Sequence, residues 1–181
     1  MNDFLPEGYE TPDASNGYMK FKPGENRFRV LSSAIVGYEN WVDEDGKRKP
    51  LRWRMGVNIP VTEGEDAKHF WAFVVWNYQE NKIQILEITQ KGIMKSITAL
   101  AKDKDWGSPK DYDLVVTREG EGMDTEYQTQ PKPKKDADEA ILKAYDTTSI
   151  NLDALFDGKD PFKTEETVDA DEIEKFAASK K

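Results

Sequence analysis

Apolar and polar residues alternate across GENRFRVLS at 24–32, which sets Phe28 and Val30 against Arg27 and Arg29. A period of two marks a strand with one buried face, here an apolar face backed by a basic one. AIVGYENWV continues extended, DEDGKRKP is a turn with Asp45-Gly46 at its tight point, and LRWRMGVNIPV reads as the return strand. HFWAFVVWNY and KIQILEIT give two more strands, separated by QEN. The period then changes. Over 92–106, Ile93, Met94, Ile97, Leu100 and Ala101 fall at helical spacing, with Thr89 as the expected N-cap and Gly107 with Pro109 as the stop. YDLVVTRE and TEYQTQ close the pattern as a hairpin joined by GEGMD.

Several strands, one helix, then a closing hairpin is the element order of a mainly β, five-stranded OB-fold barrel with its helix between strands 3 and 4. The domain expected from this order covers residues 18–131, after a flexible arm at 1–17. PKPKK then begins a stiff, basic linker. Within 132–156, Asp136 to Phe156 is expected to be helical, with Ala140, Ile141, Ala144 and Tyr145 on one face and Asp138 and Glu139 in the first turn, and a shorter turn is expected around Leu152, Leu155 and Phe156. Residues 157–181 are acidic and poor in apolar side chains, which predicts a disordered acidic tail.

HFWAFVVWNY breaks the alternation. Trp71, Phe73 and Val75 share one face, and Phe70, Ala72, Val74, Trp76 and Tyr78 share the other. A small barrel has one interior, so the expectation is that one face fills it and the other continues a surface for stacking. His69, Trp71 and Phe73 are expected to point outward, because His69 is polar and Phe70 to Trp76 forms the longer apolar file.

Composition narrows the chemistry. The 181 residues include five Trp and no Cys, which removes disulfides, thiolate nucleophiles and Cys-based zinc sites. The start, MNDFLPEGYETPDASNG, has no basic residue and no apolar run, so no signal peptide is expected. With no apolar stretch near the length of a membrane span, a soluble cytoplasmic protein is expected, in the host cell if the source is viral. The net charge of −9 argues at first against a nucleic-acid binder. Its distribution reverses that: 20–62 holds nine basic and five acidic residues, whereas 136–181 holds six basic and thirteen acidic.

No Walker loop, dinucleotide fingerprint or zinc motif is present, so no cofactor, no metal and no catalytic residue are expected. DEDG reads as a turn rather than a calcium loop, and His69 as a strand-edge residue rather than a catalytic base. What stands out is YENWVDEDGKRKPLRWR at 38–54, where cations and aromatics interleave. Single-stranded nucleic acid needs both, cations for phosphates and ring faces for unpaired bases. The phosphate candidates are Lys20, Lys22, Arg27, Arg29, Lys47, Arg48, Lys49, Arg52 and Arg54. The stacking candidates are Tyr38, Trp41, Trp53, Trp71 and Phe73.

GENRFRVL, FWAFVVWNYQENKIQILEITQKGI, WGSPKDYDLVVTREGEGMDTEY and NLDALFDGKDPF together resemble bacteriophage single-stranded DNA-binding proteins of the OB-fold, T4-type group, over residues 18–160. The resemblance implies a non-enzymatic protein that coats single-stranded DNA without sequence preference during replication, recombination and repair. It also implies an acidic C-terminal tail that contacts replication proteins and competes with DNA. Two features depart from it. Without Cys the group's Cys and His zinc site is impossible, and the chain finishes on the basic FAASKK. The rival expectations are an RNA-binding OB-fold protein and a protein-interaction scaffold that uses the aromatic surface.

Overall fold

In the computed structural model, which describes residues 17–59 and 67–163, most strands fall where the alternation puts them. The return strand, however, runs over Lys47–Arg54 rather than the expected 51–61 and takes in 47–50 of the expected turn, and Tyr18–Met19 forms a short strand outside the expected set. They are β1 (Tyr18–Met19), β2 (Gly24–Val30), β3 (Ile35–Glu44), β4 (Lys47–Arg54), β5 (Lys68–Asn77), β6 (Lys82–Ile88), β7 (Asp113–Glu119) and β8 (Glu126–Pro131). Asp45 and Gly46 both take left-handed backbone, φ 52° and 76°. Two such residues in a row make the hairpin turn whose twist suits adjoining strands, so β3 and β4 pair from Gly37↔Arg54 to Glu44↔Lys47.

All eight strands join one open, mixed sheet in the order β1-β6-β5-β2-β7-β8, with β3 paired to both β4 and β5. This differs from the expected closed five-stranded barrel. β1 pairs in parallel with β6 through Tyr18↔Ile85 and Met19↔Leu86, and so occupies the edge that a closing strand would need. β5 is the hub. One edge takes β6, and the other takes β3 along its first half and β2 along its second. The chain bends between β2 and β3 so that both reach it, and Ser32 Oγ accepts from Val74 N at 2.8 Å at the bend.

Helix α1 spans Lys91–Lys102 and buries Ile93, Met94 and Ile97. Its N-cap is Gln90, not Thr89, with no side-chain cap bond. It ends four residues before the predicted stop because Asp103 Oδ1 accepts from Asp105 N and Trp106 N at 2.7 and 3.3 Å. Short polar side chains bind nearby backbone in this way and compete with helix. Under α1 lies the inner core: Phe28 and Val30 of β2, Phe73 and Val75 of β5, Leu86 and Ile88 of β6, Leu114 and Val116 of β7.

The expected C-terminal helix is split. Helix α2 covers only Glu139–Thr147, and the Thr148 hydroxyl donates back to Ala144 O at 2.6 Å as it closes. A 3-10 turn follows at Leu152–Asp157. Packing then continues beyond the predicted tail boundary at 157. Asn151 N donates to Pro161 O at 2.8 Å, and the Phe162 ring meets Tyr18 edge-on at 5.7 Å. Residues 150–162 therefore form a strap on the outer face of the sheet. Its Leu155 joins Phe70, Ala72 and Ile85 in a second core, flanked by Ile35, Ile150, Leu152, Phe156 and Phe162. The tail at 164–181 and the arm at 1–16 lie outside the described residues.

This settles what HFWAFVVWNY does. Both faces are buried: Phe73 and Val75 under α1, Phe70 and Ala72 under the strap. Phe73 is 3% exposed, so the expected outward direction for it is corrected. Trp71 is half-buried against the inner core rather than free.

Candidate nucleic-acid interface

With β5 covered on both sides, the aromatic surface moves to the β3–β4 hairpin. β4 pairs only with β3, so its far edge is open. Along that edge the sheet, β1 and the strap enclose a groove of about 1210 Å³. Trp41, Lys49, Pro50, Leu51, Arg52 and Trp53 form its hairpin wall. Tyr18, Met19 and Lys20 form a second wall with Glu87, and residues 155–162 a third. Gly37 permits the close approach of hairpin and strap, since a Cβ there would collide with the Trp53 carbonyl oxygen and the Phe156 ring.

Trp41 is 45% exposed, and the Arg48 guanidinium lies 5.7 Å from its ring centre. A large aromatic ring held half in water beside a cation offers a π face and a charge together. Trp53 lines the same groove and stands opposite Tyr38 across the hairpin. Tyr38 packs on His69, with ring centres 5.3 Å apart, and His69 Nδ1 lies 2.8 Å from Gly37 O. His69 thus pins the base of the hairpin from the first half of β5, where it is paired with Tyr38. Lys47, Arg48 and Lys49 are exposed at the hairpin tip, where Lys49 pairs with Glu44.

Several predicted phosphate contacts lie elsewhere or are already engaged. Arg52 lines the groove but is only 6% exposed, held between Glu39 (3.3 Å) and Glu87 (3.1 Å). Burial pushes the Glu39 carboxyl up to about 8, and a hydrogen bond to Glu87 and its repulsion add to that rise against the Arg52 charge. Two carboxyls and one guanidinium out of water fix the hairpin's tilt over β6, and they leave Arg52 no free face for a phosphate. Arg54 stacks on Phe156 at 4.6 Å, and Lys22 stands 3.7 Å from Glu80.

Arg27 and Arg29 form a separate cluster. Arg29 is 1% exposed and donates to Asp113 Oδ1 at 2.7 Å, while Arg27 donates to Oδ2 of the same carboxylate at 2.7 Å. Tyr78 donates to Oδ1 at 2.9 Å. Burial works to raise the Asp113 carboxyl, but these three hydrogen bonds outweigh it and hold the group below the ordinary carboxylate range. Burial, with the bond to Asp113, pushes Tyr78 up to about 12. Arg29 is therefore a structural ion inside the sheet's outer layer, not a surface cation, and this corrects its assignment to phosphate binding.

Of the fourteen predicted site residues, the structure brings Lys20, Lys49, Arg52, Trp41 and Trp53 together in one groove, with Tyr38, Lys47, Arg48 and Arg54 on the same hairpin. It places Lys22, Arg27, Arg29, Trp71 and Phe73 apart from it. Sequence reasoning missed the strap as a wall, although Ile150, Leu152, Leu155, Phe156 and Phe162 are a dense apolar set beside an acidic run. Asp157 and Asp160 of the strap also enter the groove, so its lining mixes both signs of charge.

No family model matches the chain. The chain is similar to a phage protein. That protein, from Escherichia phage T5, bears the name "Probable ssDNA-binding protein" and is 30% identical over 151 residues. The match covers 67% of this chain and 58% of the T5 protein, so the chain spans less than two thirds of that relative's length. No helix among the described residues is long and apolar enough to cross a membrane.

Proposed function

We propose that this protein binds single-stranded DNA without sequence preference, through the β3–β4 hairpin and the groove along β4. The observation that supports this most is Trp41, half exposed under Arg48 at the rim of a groove that also holds Trp53, Lys20 and Lys49. A base stacked on such a ring gains about 1–3 kcal/mol whatever its identity, and Lys20, together with Lys49 on leaving its exposed pair with Glu44, meets the phosphates. The similarity to the phage T5 protein supports the same reading. So does the strand order β6-β5-β2-β7-β8 with α1 between β6 and β7, which is an OB-type order cut open. In this reading the hairpin lies between the first and second OB strands, β2 and β5. The protein acts by binding and not by catalysis, in phage DNA replication, recombination and repair. Its acidic tail meets replication proteins.

The test is quenching of tryptophan fluorescence by oligo-dT, by duplex DNA and by RNA of equal length, across a salt series. Quenching by oligo-dT that weakens steeply with salt is the expected result. Preference for the RNA would move the assignment to RNA binding. A salt-independent response, or none, would favour an apolar docking surface for protein.

A further inference from the structure

PKPKK at 131–135 reads in sequence as a stiff linker, yet the structure holds it in place. Lys132 N donates to Asp113 O at 2.8 Å, and Lys135 N donates to Asp111 O at 3.1 Å. Arg29 Nη1 donates to Lys135 O at 2.9 Å and to Lys110 O at 3.0 Å. The buried Arg29 therefore clamps two backbone segments, and both of them present lysines. Pro131 and Pro133 have no N–H, so the stretch stays extended and offers little backbone to a partner strand.

The clamp leaves a cationic surface. Lys110, Lys134 and Lys135 are exposed, and Arg27 lies beside them with its guanidinium 5.3 Å from the Tyr78 ring centre. Asp113, the acid at the centre, is fully buried and shared between Arg27, Arg29 and Tyr78, with Lys135 Nζ 3.9 Å from it, while Asp111 and Asp136 adjoin Lys110 and Lys135 in the chain and are exposed. Among the described residues, Lys135 is paired with Asp113, and no ion pair takes up Lys132 or Lys134. Alternate residues of an extended chain stand about 7 Å apart, so Lys132 and Lys134 make a short track of fixed charges. Arg27 alternates with the inward-facing Phe28, which puts this track on the outer face of the sheet, as the groove is. Residues 136–163 connect the two places.

We propose that this clamped lysine track is a second contact for the strand, where backbone phosphates beyond the hairpin groove bind without base recognition. It rests on the reading of the groove as a single-strand site and extends it, because a strand must be long enough to reach both.

The experiment uses the full chain with oligo-dT of about six and about 25 nucleotides, lengths below and above the span of a single small site. Replacing Lys132, Lys134 and Lys135 together by Ala should weaken binding of the long strand about tenfold and flatten its salt slope by about 2, at roughly 0.7 per contact. Binding of the short strand should stay unchanged, and the thermal melt should move little, since the backbone bonds of the clamp remain and the half-exposed Lys135 reaches Asp113 only at 3.9 Å. The matching triple Lys→Arg variant should restore long-strand binding. Trp41→Ala in parallel should weaken both lengths. If Trp41→Ala weakens both lengths and the lysine variant matches the wild type on both, the track is overturned and the groove stands. If neither variant changes binding, both readings fall.

Discussion

The two faces of β5 are made of similar residues and are covered by different means. The inner face, with Phe73 and Val75, is closed by α1, which follows β6 almost at once. The outer face, with Phe70 and Ala72, is closed by the strap at 150–162, after two more strands and a second helix. The inner cover is a helix packed along one whole side. The outer cover is a 3-10 turn and a loop, held by a few rings and the Arg54–Phe156 stack. Hydrophobic burial scales with area, so the inner face should supply most of the stability and the outer one less. The outer region adds something the inner does not, a groove with the exposed Trp41 at its edge.

Four variants test this contrast, taken from the largest expected effect to the smallest. Phe73→Ala removes a ring from the inner core and should cost about 3–5 kcal/mol, read as a large drop in the denaturant midpoint. Leu155→Ala should cost about 2–3 kcal/mol, at the low end for a buried leucine, because a loop collapses onto a cavity more readily than a helix does. Hydrogen exchange after that change should rise in 150–162 and around Phe70, and stay slow in α1. An equal loss of protection in α1 would show that the two cores unfold as one.

The third variant concerns pH. Glu39 titrates near 4.5 when unfolded and near 8 when folded, so the folded state holds an extra proton between those values. Its contribution to stability is full below about 4.5 and is lost as pH rises towards 8. Glu39→Gln should flatten this loss and raise stability at pH 9 by on the order of 1–3 kcal/mol, with Glu87 left to pair with Arg52. Lower stability of the variant at pH 9 would mean that the charged pair with Arg52 outweighs the burial of Glu39.

The sequence made local features legible. Asp45-Gly46 announced the hairpin, and the period change announced α1, because both depend on residues close in the chain. The outer core stayed hidden for the opposite reason. Phe70 and Phe156 pack with ring centres 5.9 Å apart but lie far apart in sequence, and alternation cannot tell which of two apolar faces has a distant cover. The same blindness put Phe73 on the surface. Arg29 and Arg52 were misread because a sequence shows their charge and not the carboxylates facing them, Asp113 for one, Glu39 and Glu87 for the other. The interleaved stretch at 38–54 did mark the region where Trp41, Lys49 and Trp53 meet.

The fourth variant should barely affect stability, since Trp41 is half exposed and in neither core. It bears most directly on the groove. Oligo-dT binding by the full chain and by Trp41→Ala is compared at one low salt concentration, with thermal melts of both. Stacking of a base on Trp41 predicts unchanged melting in the variant, loss of a large part of the fluorescence quench, and affinity weaker by about 1–3 kcal/mol. Equal affinity for oligo-dT in the two proteins would contradict it, and would take the strand away from the β3–β4 hairpin.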